Sequence, residues 1–429
     1  MPSTPSSLAQ SVESQLQRYA RFGVDLGLSR IEHLLESLDN PHRQVPIIHV
    51  AGTNGKGSVC AYLSAILTAA GYRTGRYTSP HLVNWTERIC IDGQAISWQD
   101  LQNALNTVES AIRKESAQQP TPTQFEVITA AAWQYFASQK VDVAVVEVGL
   151  GGRLDATNVC DNPLATIIVS ISRDHWQRLG ETIAEIAGEK AGILKSGVPA
   201  IVGPVPIEAE AVITQRAQSL QAPLTQVEPA QPSLDKPQSL VYQDIEYPQM
   251  LLGEHQKVNS ACAIATLQKL RDQGWQISDS AIAQGMAQVK WPGRLQRYQW
   301  QGRPLLIDGA HNVDAAKSLR TYLDKAYPNQ SITWLMGMLQ TKDQAGVFRA
   351  LIRAGDRLHL AAVPGHLSTE PEELRAIAQK ICPNLALIHT HPDLQAALEA
   401  STDSTENTSP TVFCGSLYLI GHFFEHYAA

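Results

Sequence analysis

The sequence predicts an α/β protein of two domains: a larger N-terminal one with a mostly parallel sheet, and a smaller C-terminal one of Rossmann-like pattern. Three observations lead there. Apolar, β-branched runs at 45–50, 141–148 and 165–171 are hydrophobic on both faces, as strands covered by helices are. A second series of short apolar runs, at 304–307, 332–336, 358–363, 385–389 and 411–414, alternates with helical stretches. The chain's 429 residues also exceed what one ordinary core organises, so length favours two domains, with three as the alternative.

Between the first two runs, Val59, Leu63, Ile66, Leu67 and Ala70 share one helical face, and Gly71 supplies a stop. Strand, glycine-rich turn and helix in that order open a βαβ unit. Composition loosens at 116–124 and again over 223–248, where loops and short strands are expected rather than a core helix. Trp291-Pro292-Gly293 interrupts the pattern, which places the domains at 1–293 and 294–429. A polar loop is expected over 401–410, and the sequence shows no repeat and no coiled-coil heptads.

Composition narrows the function classes. With 44% hydrophobic residues and ordinary glycine and proline content, the chain is globular rather than disordered or fibrous. A formal net charge of −7 implies no basic face, so no nucleic-acid partner is expected. The six cysteines are scattered without a CxxC pair, as buried small side chains in a reducing compartment would be. The stretch from Met1 to Ser7 has no apolar core of a secretory leader, and no run approaches a membrane span. A cytoplasmic protein without membrane partners is the expectation.

The sharpest motif is His49-Val50-Ala51-Gly52-Thr53-Asn54-Gly55-Lys56-Gly57-Ser58, set between a strand and a helix. Glycines let backbone N–H groups close around phosphate oxygens, and the helix N-terminus adds favourable partial charge. Asn54, Gly55, Lys56, Gly57 and Ser58 are therefore candidate nucleotide-binding residues: Lys56 would counter the β- and γ-phosphates, and the Ser58 hydroxyl could face a metal. Gly57 departs from the common spelling by separating Lys56 from Ser58. On this motif the larger domain is a P-loop mononucleotide-binding domain. Glu147 ends an apolar strand, where open α/β sheets put their ligand crevice; it is a Mg²⁺ ligand or a paired structural carboxylate. His175 follows the 165–171 run, and Lys190 lies in the helical stretch 183–194. By itself, each also fits a structural role.

The motifs in order resemble the folylpolyglutamate synthase and dihydrofolate synthase family, relatives of the Mur cell-wall ligases. After the glycine turn come Tyr77-Thr78-Ser79-Pro80-His81-Leu82, Phe125-Glu126, and the run Glu147-Val148-Gly149-Leu150-Gly151-Gly152-Arg153-Leu154-Asp155-Ala156-Thr157-Asn158. Asp174-His175, Glu189-Lys190-Ala191-Gly192, His255-Gln256, Asn259, Trp291-Pro292-Gly293-Arg294 and Asp308-Gly309-Ala310-His311-Asn312 follow. The resemblance runs from Asp25-Leu26-Gly27-Leu28 to Cys414-Gly415-Ser416. It departs at Val313-Asp314, where the family commonly has Pro-His, and at Arg173, where an apolar residue is usual.

The resemblance implies an ATP-dependent ligase joining L-glutamate to dihydropteroate, to reduced folates, or to both, and acting as a monomer. It makes Ser79, Glu147 and His175 a Mg²⁺ set. It makes Lys190 a lysine carbamylated by CO₂ that could hold a second Mg²⁺. Lys56, Lys190 and His311 are implied as catalytic, with His311 near the transferring phosphate. Asn259, Arg294 and Asp308 join the nucleotide contacts. Asp25, Leu26, Gly27, Thr123, Phe125, Glu126, Arg153 and Asp155 are implied at the pterin substrate, Phe125 as a stacking surface and the two aspartates as acceptors for ring N–H groups. Arg153 fits a structural cation equally well. The acyl phosphate that such a ligase forms must be kept from water, so the two domains are expected to close about 290–295. Two rivals remain at this stage: a Mur-type enzyme on a UDP-sugar peptide, and a P-loop ATPase that hydrolyses ATP only to change shape.

Overall fold

A computed structural model describes residues 7–20, 25–114, 120–402 and 409–428. Residues 116–119 and 403–408 of the two expected loops lie outside those described. The chain divides into two compact units: Ser3–Met250 with Gln256–Lys290, and Leu251–His255 with Trp291–Ala429.

Among the described residues, the larger unit is built on an eight-stranded sheet of order β4-β3-β2-β5-β1-β6-β7-β8. Its strands are β1 (Ile47–Ala51), β2 (Thr74–Tyr77), β3 (Ile89–Ile91), β4 (Gln94–Ala95), β5 (Val143–Glu147), β6 (Ala165–Ile168), β7 (Ala200–Val202) and β8 (Leu224–Gln226). The neighbours from β2 to β8 run parallel, whereas β3 and β4 add an antiparallel edge. Every residue of β1 and β5 is buried, which is why both read as unbroken apolar runs. One apolar cluster gathers Tyr77, Trp133 and Phe136 with Leu16 and Leu35. A second gathers Ile168, Ile186, Leu194 and Ile213. The stretch expected to hold short strands forms a three-stranded antiparallel sheet from β9 (Gln231–Pro232), β10 (Ser239–Tyr242) and β11 (Ile245–Pro248).

In the smaller unit, β12 (Gln296–Trp300), β13 (Arg303–Ile307), β14 (Thr333–Met336), β15 (Arg357–Leu360), β16 (Leu387–Thr390) and β17 (Thr411–Cys414) form a sheet of order β12-β13-β17-β14-β15-β16. Only β12 is antiparallel to its neighbour; the other pairings are parallel. Its core packs Trp334, Met336 and Val412 of the strands against Leu319, Phe348 and Leu374 of the helices.

Two strands stop short of their apolar runs. The ladder of β6 ends at Ile168 although Val169 and Ile171 remain buried, and β15 ends at Leu360 although Ala361 and Val363 remain buried. Burial outlasts pairing there because the residues continue into loops at the carboxyl end of the sheet.

The glycine turn's helix, Lys56–Ala69, packs against the helix Asp279–Gln288. Gly285 makes that approach possible: a Cβ there would sit 2.4 Å from Ile66 Cα and 2.7 Å from Ile66 N. Both are backbone atoms that no rotamer change can move aside. Gly285→Ala should therefore lower unfolding stability by about 2 kcal/mol through overpacking. Urea denaturation checks this, and an unchanged midpoint would show that the two helices part without cost.

Candidate active site

The strand order makes β1 a switch point, with the chain leaving it first towards β2 and later returning to β6 on its other side. Ligand crevices of open α/β sheets form at such points, beyond the carboxyl ends of the strands. Three segments meet there: the Gly52–Ser58 turn after β1, Glu147 at the end of β5, and Ser170 after β6. Thr53 N donates to Ser170 O (2.8 Å), Asn54 N to Ser170 Oγ (3.0 Å), and Ser172 N to Thr53 Oγ1 (3.0 Å). The helix starts at Lys56, so its first N–H groups have no intrahelical partner. Gly55 adopts φ +86°, and a Cβ there would lie 2.4 Å from Asn259 Oδ1. Asn259 thus packs directly on the turn. Its Nδ2 donates to Gln256 Oε1 at 2.9 Å, and Gln256 Nε2 donates to the buried Ser58 hydroxyl at 3.2 Å.

Two lysines converge on the same turn. Lys56 Nζ donates to Thr53 O at 3.3 Å, and Lys190 Nζ donates to Gly52 O at 2.9 Å. Lys190 is buried, not an exposed helical lysine. Burial lowers its pKa to about 7, the charge of Lys56 pushes the same way, and Asp174 and Asp155 pull back. Buried Glu147 lies 3.9 Å from Lys56 Nζ through Oε1 and accepts from Ser79 N at 3.1 Å through Oε2. His175 stands at φ +50° before the short helix Trp176–Leu179, with its side chain half exposed and Nε2 3.9 Å from Asp174 Oδ1.

The residues assigned to the pterin side divide into two groups. Arg30, which lies outside the sequence motifs, ties the first group together. Its Nε donates to both oxygens of buried Glu126 at 3.1 Å, its Nη1 to Asp25 Oδ2 at 2.6 Å, and its Nη2 to Asp25 O at 2.7 Å. Glu126 also closes a capping box with Thr123 at the start of the helix Gln124–Ser138. Leu26 and Gly27 follow Asp25 in the same short segment, ahead of the helix Ser29–Glu36. The second group is the glycine-rich run. Phe125 crowds Gly149, where a Cβ would fall 2.4 Å from the ring. Asp155 accepts from Leu150 N, Thr157 N and Thr157 Oγ1, at 2.8, 3.0 and 2.6 Å. Because Thr157 Oγ1 donates to Asp155, it accepts from His49 Nε2 at 2.9 Å; burial holds that imidazole neutral, with a pKa down to about 3. Arg153 donates twice to Glu189 Oε1, at 3.1 and 2.8 Å.

In the smaller unit, Asp308 follows β13 and accepts from Leu295 N and Ala310 N, both at 2.9 Å. Gly309 lets Arg294 lie close: a Cβ would be 2.0 Å from its Nη1. His311 Nδ1 donates to Gly309 O at 2.8 Å, which in the neutral ring leaves the lone pair on Nε2. Asn312 caps the helix Val313–Ala326 through its side-chain oxygen.

A parallel sheet with a phosphate-type turn at its switch point, followed by a smaller α/β unit, is the plan of a nucleotide-binding α/β protein, and family models assign it to the Mur ligase class. The Mur ligase middle domain model matches residues 50–267, and the model for the dihydrofolate synthetase C-terminal domain matches 294–426. The dihydrofolate synthase/folylpolyglutamate synthase of Bacillus subtilis is 37% identical over 82% of this chain and 85% of its own. The dihydrofolate synthetase of Saccharomyces cerevisiae is 36% identical over 93% and 97%. Among solved structures, the folylpolyglutamate synthase of Mycobacterium tuberculosis, complexed with ADP and AMPPCP, superposes with a TM-score of 0.87 at 32% identity, covering 99% of both chains. The chain belongs to the dihydrofolate synthase/folylpolyglutamate synthase family. Among the described residues, no helix is long and apolar enough to cross a membrane.

Removing Arg30 would strand the Glu126 carboxylate, which is 3% exposed, without its counter-charge. Arg30→Met is expected to cost about 3 kcal/mol of stability, and distinctly less in a Glu126→Gln background. A urea double-mutant cycle checks this. Equal costs in both backgrounds would show that the pair is uncoupled.

Proposed function

We propose that the chain is an ATP-dependent ligase forming an amide between the amine of L-glutamate and a carboxylate of a pterin-bearing acid, either dihydropteroate or a reduced folate. The products are ADP and phosphate. One observation carries the reading: Lys56, Lys190 and Glu147 gather on the Gly52–Ser58 turn at the carboxyl end of the sheet.

A carboxylate at neutral pH does not yield oxide to an amine. Its oxygen must first take the γ-phosphoryl group of ATP, breaking the bond to the β-phosphate oxygen and leaving ADP. That step needs positioning and neutralisation of phosphate charge. The turn supplies backbone N–H groups and Lys56 supplies a cation. The glutamate amine then forms the C–N bond, phosphate leaves with the former C–O pair, and the amine sheds its proton. Arg294 as a phosphate clamp, Asn259 and Asp308 at the nucleotide and His311 at the transferring phosphate belong to the same proposal. So do Asp25, Leu26, Gly27, Thr123, Phe125, Glu126, Arg153 and Asp155 at the pterin acid. Arg30 would act there as a positioning residue, holding the Asp25 segment to Glu126.

The carboxylate of Glu147 and the hydroxyl of Ser79 offer the oxygen donors that a hard divalent cation takes, with the imidazole of His175 as an unusual third ligand and waters and phosphate oxygens to complete the shell. Mg²⁺ held by these three would neutralise phosphate charge. Lys190 is proposed as a carbamate. At a pKa of about 7 a large share of its amine is neutral at physiological pH, and only the neutral amine attacks CO₂. The product is a carboxylate able to hold a second Mg²⁺.

Phosphate release should require L-glutamate and a pteroate-type acid together, and assays with each acid separately would establish whether one or both are substrates. Release from ATP alone would overturn the ligase reading. Lys56→Ala should lower turnover about 100-fold or more, as removal of one charge-stabilising group does. Under ¹³CO₂, the chain should show a carbamate carbon resonance that is missing in Lys190→Arg. A spectrum without it would leave Lys190 an unmodified amine.

A further inference from the structure

The C-terminal helix Leu417–His426 carries a cluster that the proposed reaction does not use. Its final turn reads His422-Phe423-Phe424-Glu425-His426, with imidazoles four residues apart and a carboxylate between them. Residues at i and i+4 of a helix are surface neighbours. The two rings stand 4.2 Å apart, and His426 Nδ1 lies 3.7 Å from Glu425 Oε2. One donor atom from each of the three residues falls within 4.8 Å of the others, a grouping of three His, Cys, Asp or Glu side chains found nowhere else among the described residues.

We propose that His422, Glu425 and His426 form a binding site for a divalent transition-metal ion of the Zn²⁺ or Ni²⁺ kind. Two nitrogen donors and one oxygen donor match the preferences of such ions, whereas Mg²⁺ and Ca²⁺ take oxygen almost exclusively. The site is presented on a fixed support. Leu419, Ile420 and Phe423 of the same helix are buried, and the Phe423 ring meets Tyr298 and Phe413 edge-on at 5.4 and 5.7 Å. The backbone from which the ligands project is thus set by the core, and only side-chain rotation is needed to close them on an ion. Its place favours a cation too, because the last carbonyls of a helix carry partial negative charge. With three protein ligands, the remaining positions belong to water. An ion there would stabilise the folded state by mass action.

Isothermal titration of the chelator-treated full chain, without nucleotide, tests the site with Zn²⁺ and separately with Mg²⁺. The wild-type chain should bind one equivalent of Zn²⁺ that His422→Ala and His426→Ala each weaken at least about tenfold. Their unfolding midpoints in metal-free buffer should match wild type, since His422 is only partly buried and His426 is exposed. Because six cysteines could also take up Zn²⁺, the variant difference is the readout. Zn²⁺ binding that is unchanged in both variants, absent from wild type, or displaced by equimolar Mg²⁺ would overturn the assignment.

Discussion

Two ammonium groups share one half-buried turn, and the carboxyl end of the larger unit's sheet is arranged around that fact. Lys56 and Lys190 each donate to a carbonyl of consecutive residues, Thr53 and Gly52. Carbonyl oxygens replace part of the water that burial removes, yet they carry no full charge, so Lys190 is depressed first by desolvation and then by its neighbour. Glu147 offsets one of the two cations from 3.9 Å. A helix N-terminus adds further positive potential. A ligand with several negative charges, such as a triphosphate, complements such a turn. An overall charge of −7 is no obstacle, because the field that matters is local.

The sheet order follows from the same requirement. Parallel strands end on one side, so placing β1 between β5 and β6 brings three chain segments to that turn at once. The register pairs Val50 with Glu147 and Ala51 with Ile168, which sets the carboxylate level with the last residues before Gly52. Ser170 then fastens the turn through both its carbonyl and its hydroxyl. Within this sheet, among the described residues, antiparallel pairing is confined to the β3 and β4 edge, away from the switch point.

Much of this was legible in the residues. Strands buried on both faces announce themselves as apolar runs, and the glycine turn between strand and helix announces the phosphate side. Strand ends were less legible, since Val169 and Val363 stay buried after the ladder stops and nothing in their chemistry marks the change. Partnerships across long stretches of chain were not legible at all. Arg30 and Glu126 are separated by 96 positions, and on their own helices each resembles an ordinary surface charge. The burial of Lys190 was hidden for a related reason: a lone lysine in a short helix reads as exposed, and only the packing of that helix beneath Gly52 and Gly152 takes it from water. Gly152 shows how close that packing is, for a Cβ there would lie 2.8 Å from Glu189 O and 3.0 Å from Lys190 O.

Why position 190 holds an amine rather than a guanidinium follows from what burial does to each. Arginine stays charged in any protein environment, so at this place it would remain a second fixed cation beside Lys56. Lysine can give up its proton: burial, and after it the charge of Lys56, make the charged form costly and the neutral form accessible near pH 7. On the proposed reading that neutral amine is the reactive species: CO₂ adds to the nitrogen, a proton leaves, and a cation becomes an anion. The turn then exchanges mutual repulsion between two lysines for attraction between Lys56 and a carbamate. The repulsion from Lys56 that disfavours an ordinary ammonium at this position becomes attraction once the group is an anion.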